Sequence, residues 1–196
     1  MTLGDYTSVA DVGGSLMSVI RAEMLADPSL APKFTSADSI TLEPPTDTAG
    51  GLGSAALSVY LYRLLEDPYL KNQNSVIGRG GSLRRAPLTL DLYYLITPLL
   101  DDPRDQQIIL GKVMQILYDR PVLEGGDLTG GLAGSDEQIR AIFNPVSLEE
   151  TARVWQALET AYRLSICYTL RVTLIDSTIE QGAQRVVSQQ TAVGAR

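Results

Sequence analysis

The sequence predicts an α+β fold: a mostly antiparallel sheet of about five strands, helices packed on one face, and one long inter-strand loop. Three observations predict it. Alternation with period two runs through Leu88–Thr97 and recurs in Ala56–Leu65 and Tyr162–Asp176. Three other segments open on cap residues and continue with apolar residues at three- and four-residue steps. Two adjacent strand pairs are joined by long loops instead of short helical crossovers, and no internal repeat is present.

Thr7 or Ser8 can cap a first helix, and Asp11, three residues after Ser8, completes a capping-box pattern with Asp in place of the usual Glu. Val9, Val12, Leu16, Val19, Ile20 and Met24 then form one apolar stripe. Gly13-Gly14 within it either weakens the helix or marks close packing against a neighbour. The helix should end at Asp27-Pro28, giving about 19 residues and roughly 28 Å. Asp38–Leu42 is a short strand, ended by Pro44-Pro45, and the stretch 46–54 with Gly50, Gly51 and Gly53 is a loop. Ala56–Leu65 is a strand that Glu66-Asp67-Pro68 ends.

Tyr69–Arg85 is long for a loop inside a domain, and such loops carry function or are disordered. Counted from Asp67 to Arg85 it holds four basic residues (Lys71, Arg79, Arg84, Arg85) and one acidic, against the acidic whole. The strand after it organises the chain. Leu88, Leu90, Leu92, Tyr94 and Ile96 form one apolar face, and Thr89, Asp91, Tyr93, Leu95 and Thr97 a mixed face suited to half-solvation or to a partner. Pro87 and Pro98 bracket it.

Asp102 followed by Pro103 is a helix start, with Asp101 adding charge at the positive dipole end. Ile109, Leu110, Val113, Ile116 and Leu117 should be its buried face, ending at Pro121. The Gly-rich stretch 125–134 is a loop, and Gln138–Phe143 a strand with Ile139 and Ala141 opposite Ile142. Ser147 and Glu150 make a full capping box, and Leu148, Ala152, Trp155 and Leu158 should line the helix it opens. Tyr162–Asp176 is the last long strand. Residues 6–177 are expected to be the folded domain, and 178–196 a polar C-terminal tail or edge-seeking arm.

Composition excludes more than it assigns. The chain has 196 residues, 44% of them hydrophobic, as expected of a soluble globular domain. A net charge of −7 disfavours non-specific binding to nucleic acid or to an anionic membrane. No apolar run approaches the ~20 residues of a membrane span. No secretory leader is read at the N-terminus, so a cytoplasmic protein is expected. The absence of histidine and the single Cys167 remove Ser-His-Asp and Cys-His catalysis, histidine or thiolate metal sites, and internal disulfides. Chemistry built on carboxylates, lysine or Mg²⁺ remains open.

Each candidate site has a plainer account. Gly78-Arg79-Gly80-Gly81 lacks the lysine of a phosphate-binding loop and precedes a strand where that motif needs a helix. Asp101 and Asp102 could hold a metal, but Pro103 makes helix capping the better account. Glu149 and Glu150 are first-turn acids, Cys167 a packed small residue, and Trp155 core. The basic loop, through Lys71, Arg79, Arg84 and Arg85, is the candidate partner-binding site; Arg84 and Arg85 could meet phosphate or an acidic protein surface, and the acidic pI favours the protein surface. No catalytic, cofactor or metal residue is assigned.

Several segments together resemble the cap, or tube-terminator, proteins of phage-tail-like contractile injection systems. They are Ala10-Asp11-Val12, Val59–Arg63 with Glu66-Asp67-Pro68, Lys71-Asn72, Arg85–Thr97, Pro121-Val122-Leu123, Leu148 with Trp155, and Tyr162–Ser165 leading to Tyr168. The resemblance spans residues 6–177. It departs from the family at Asp67, where the family carries Asn, and at the short polar tail, where many relatives are longer. It implies a non-enzymatic structural protein without cofactor: a homo-oligomeric ring, six-membered, that stops growth of the inner tube protein and lets the sheath protein attach at the particle's distal end. Nucleic acid and membrane are not expected partners. A small Mg²⁺ enzyme using Asp91, Asp101 and Asp102, or a monomeric interaction module, is the alternative.

Overall fold

The computed structural model describes residues 4–46, 55–70, 76–77 and 82–182. Helix α1 is Ser8–Ala26, 19 residues as predicted. The expected capping box at Ser8 does not form. Ser8 is buried inside the helix and Thr7 is the N-cap, with no side-chain cap bond. Asp11 turns outward instead and accepts from the Gly131 N–H at 3.1 Å. Gly13 serves close packing: a Cβ there would stand 3.1 Å from the Tyr94 hydroxyl.

Two sheets follow from the strands. The larger has the order β1-β2-β5-β8-β7-β6, from β1 (Ile40–Thr41), β2 (Leu57–Glu66), β5 (Leu88–Pro98), β6 (Val122–Glu124), β7 (Gln138–Phe143) and β8 (Ile166–Ile175). Only β1 and β2 pair parallel. A small sheet, β3-β4-β9, joins Val76–Ile77, Ser82–Arg84 and Glu180–Gly182. The predicted α+β, mostly antiparallel fold is the observed one, with six strands in the main sheet. The stretch read as one long loop contains β3 and β4, and Glu180–Gly182 of the expected tail pairs with β4. The Gly50–Gly53 loop and residues 183–196 lie outside the described residues.

β5 lies between β2 and β8, the central place its alternation requires. Leu90, Leu92, Tyr94 and Ile96 enter the main core with α1 and with α2 (Pro103–Asp119), whose buried residues are the five predicted. Leu88, at the strand's start, is 43% exposed and drops out of that face. The opposite face is drier than expected. Thr89, Asp91, Leu95 and Thr97 are all buried, and only Tyr93 is half-exposed.

Helix α3 (Leu148–Ala157) covers part of that second face, so the helices divide two to one about the sheet. Trp155 packs there on Leu95 and Cys167. The Ser147–Glu150 capping box is present in full. Leu148 and Ala152, expected on the buried side, are exposed, whereas Thr151 and Trp155 are buried with Val154 and Leu158 beside them. Trp155 and Leu158 keep their expected place, while Leu148 and Ala152 fall outside the packed stripe, because a ten-residue helix has few apolar positions to fix its phase. The last strand also starts later, at Ile166, since Tyr162 turns to meet Trp155 edge-on with ring centroids 6.1 Å apart.

Candidate functional site

The basic insertion between β2 and β5 is rooted in a buried ionic cluster. Asp67 follows β2 and donates its N–H to the Thr89 carbonyl at 2.9 Å, which ties together the two ends of the insertion. Its Oδ1 accepts from the Tyr69 N–H at 2.7 Å. Arg171 of β8 donates from Nε to Asp91 Oδ1 and Oδ2, at 2.9 and 3.1 Å, and from Nη2 to Asp67 Oδ2 at 3.3 Å. Both aspartates are 4% exposed. The Asp91 hydrogen bond, with the charges of Asp91 and Asp67, holds the guanidinium still more firmly protonated than usual. One cation thus serves two buried carboxylates, and a buried charge needs such a partner. The arrangement clamps the place where the insertion leaves the sheet.

Of the four predicted partner-binding residues, two fall within the described residues. Arg84 is in β4, its Cα opposite Val76 on one side and Glu180 on the other. Arg85 follows it and is exposed. Lys71, Arg79 and the Gly78–Gly81 run lie outside the described residues.

On the same side of the sheet as α3, Tyr62 is an extra residue in β2 where its register against β5 slips. The Arg63 guanidinium carbon stands 5.4 Å from the Tyr93 ring centroid, in cation–π range. A groove of about 250 Å³ opens between Tyr62, Arg63, Val146, Glu150, Val154 and Cys167. Burial pushes the Tyr62 phenol well above its ordinary value, and Cys167 beside it adds to this. Burial likewise raises the Cys167 thiol, the opposite of what a nucleophilic thiolate needs.

The carboxylates of the enzyme alternative do not converge. Asp102 accepts from the Arg104 N–H at 3.2 Å as the α2 cap, next to exposed Asp101. Asp91 sits seven extended residues before Pro98, roughly 23 Å along the strand at ~3.3 Å per residue, and is held by Arg171. Glu149 pairs with Arg153 at 2.7 Å. Glu150 accepts from the Ser147 N–H at 3.1 Å. Among the described residues no three His, Cys, Asp or Glu side chains group to hold a metal ion.

Sequence reading missed Asp67 and Arg171 as a unit. The usable signal was a pair of charges within strands: Asp91 in an otherwise apolar run, and Arg171 between Leu170 and Val172. The Asp67 carboxylate gives Arg171 a second anionic partner.

Comparison with known proteins agrees with the resemblance read from the sequence. The structure of the PVC sheath/tube terminator of an extracellular contractile injection system, in the extended state, superposes with a TM-score of 0.64 at 20% identity. That alignment covers 96% of this chain and 64% of the terminator, so the chain spans somewhat under two thirds of its length. The anti-feeding prophage cap, described as a tube-terminating cap, aligns with a TM-score of 0.48 at 22% identity over 71% of this chain and 49% of the cap. No curated protein matches the chain in sequence. The family model described as the Pvc16 N-terminal domain matches residues 11–189, and the chain belongs to that family.

Proposed function

We propose that this chain is a structural cap subunit of a contractile injection particle, forming a ring that ends the inner tube and anchors the distal sheath. The observation that carries this reading is the shared fold over 96% of the chain with a sheath/tube terminator. Three of the carboxylates support it as well: Asp102 is engaged in a helix cap, Glu150 in a capping box and Asp91 in a buried ion cluster. The role is non-enzymatic and needs no cofactor, and residues 6–177 carry it, with 178–196 as a polar tail whose Glu180–Gly182 stretch pairs onto β4. The partners are further copies of the chain, six in the ring, the tube protein and the sheath protein. An acidic body of net charge −7 supports neither nucleic acid nor membrane as a partner. The protein is made in the cytoplasm and ends at the particle's distal tip.

The basic insertion, through Lys71, Arg79, Arg84 and Arg85, contacts a neighbouring subunit or the tube end. Its charge opposes the protein's average, and exposed charges act over a Debye length of about 8 Å at physiological salt. The test is co-assembly with tube protein, scored by tube length and by ring particles in negative stain. Reversing Arg84 and Arg85 should weaken assembly more at low salt than at high salt. Equal loss at both salts would point to misfolding and remove the insertion from the interface. Tubes that grow without limit beside folded wild-type protein would remove the cap reading itself. Calorimetric titration with Mg²⁺ on wild type and on Asp101→Ala/Asp102→Ala addresses the enzyme alternative, which needs stoichiometric binding that the variant loses.

A further inference from the structure

The basic insertion is fixed to the body at two places, and both belong to one run of chain, residues 171–182. At the root, the Asp67 N–H meets the Thr89 carbonyl, so residues 68–88 leave and rejoin the sheet at one point. Arg171 of β8 holds both sides of that point, Asp67 before the insertion and Asp91 after it. Asp67 also turns the departing chain by accepting from the Tyr69 N–H. Beyond β8 and the short connection 176–179, Glu180–Gly182 lies antiparallel to β4, with Gln181 opposite Leu83. That connection is itself pinned. Asp176 donates its N–H to the Gly4 carbonyl at 2.8 Å, and Ser177 Oγ accepts from the Ile179 N–H at 3.1 Å.

A free loop of this length would lose conformational freedom when its cations met a partner, and that ordering cost subtracts from affinity. Here β4, which carries Arg84 and runs directly into Arg85, is already paired on both sides, with β3 and with β9. Two strands alone are marginal in water, so the third strand is what lets this small sheet persist. The ladder lies outside the six-stranded sheet, and breaking it leaves the main strand pairing intact.

We infer that Asp67, Arg171 and Glu180–Gly182 are positioning residues: they keep the insertion ordered in advance, so that Arg84 and Arg85 meet a partner's acidic surface in one fixed orientation. This rests on the contact proposed above for the insertion and names what sets its geometry.

The test uses the full chain and two readouts, amide hydrogen exchange in β4 and binding to purified tube ends at low and high salt. Gln181→Pro/Gly182→Pro changes no charge and removes a ladder donor, since one of two consecutive strand residues faces its neighbour strand. It should speed exchange in β4 about tenfold with the melting temperature of wild type. It should also weaken tube-end binding about tenfold at both salts, because the charges that meet the partner are unchanged. Asp67→Ala, which leaves the Arg171–Asp91 pair in place, should weaken binding at both salts too. Reversing Arg84 and Arg85 should instead leave exchange in β4 as in wild type and weaken binding mainly at low salt. Leu83→Cys/Gln181→Cys places thiols on opposed Cα positions, about 4.5–5.5 Å apart in an antiparallel pair, where a disulfide can lock β9 to β4. The buried Cys167 does not compete. The locked form should bind as tightly as wild type. A locked form that loses binding its reduced form keeps would overturn the inference, since β9 would then have to leave β4. Unchanged exchange in the proline variant would show that β9 does not hold β4 and would overturn it as well. Faster exchange with unchanged binding would sink the positioning role and leave the cap reading standing. Wild type that neither binds nor stops tubes would sink both.

Discussion

Arg171 and Asp91 face each other where the β5–β8 register slips. Leu90 pairs with Thr173 and Leu92 with Leu170, so β8 carries one residue more than β5 between these pairs. Such a bulge twists the strand and re-aims its side chains. Here it accompanies Arg171 bonded to both Asp91 oxygens and reaching Asp67, 104 residues earlier in sequence.

Removing the cation alone should therefore be costly. Arg171→Met leaves two buried carboxylates unpaired, and breaking a buried pair costs about 3–5 kcal/mol. Its side chain is 33% exposed, so the lower end, about 3 kcal/mol, is expected. Adding Asp91→Leu should recover part of the loss. Urea unfolding of the single and double variants measures this. A double variant weaker than Arg171→Met by the full cost of a second independent loss would show that the cluster is not coupled.

Leu90 is 4% exposed in the main core. Leu90→Ala should cost about 2–5 kcal/mol in lost transfer energy and cavity formation. Thermal unfolding reads this directly, and an unchanged melt would refute the facing of β5.

Gly130 has φ +62°, and a Cβ added there would collide with the Asp11 carboxylate. Gly130→Ala should lose about 1–2 kcal/mol to backbone strain alone. Asp11→Ala clears the space but not the strain, so Gly130→Ala should cost less in that background without becoming neutral. Equal cost in both backgrounds would show that the collision is relieved elsewhere.

Two glutamates should give opposite pH signatures. Burial, then the charge of Asp176, raises Glu137 above its ordinary 4.5. The folded state then holds that proton more tightly, so stability falls as pH rises from 4.5 through the folded value. Glu137→Gln should be more stable than wild type at neutral pH, an advantage that vanishes in acid. Hydrogen bonds from the Ser147 backbone and then its side chain lower Glu150. Its contribution is present above 4.5 and is lost as pH falls through the folded value. Glu150→Ala should be less stable at neutral pH, with a gap that closes in acid. Melting curves from pH 3 to 8 check both signs; parallel curves for wild type and variant would contradict them.

Local chemistry was legible from the chain. Asp102 before Pro103 and the Ser147–Glu150 box mark helix starts because they satisfy amides within their own first turn. The α2 core stripe and the central role of β5 follow from periodicity, since a helix or strand has few ways to bury such a pattern. The basic insertion stood out by charge. Its root did not, because Asp67, Asp91 and Arg171 meet only through strand pairing.

What the sequence by itself determined is the three helices, the long strands β2, β5 and β8, and which faces of β5 and α2 are apolar, because propensity, capping and periodicity act within about four residues. Tertiary structure alone decided the rest. It set the bulges at Tyr62 and Arg171, placed α3 against the face opposite α1 and α2, buried Thr89 and Thr97, and turned Leu148 outward. These depend on which strands become neighbours and in what register. That choice is made by contacts between residues tens of positions apart, which leave no period in the chain for the eye to find.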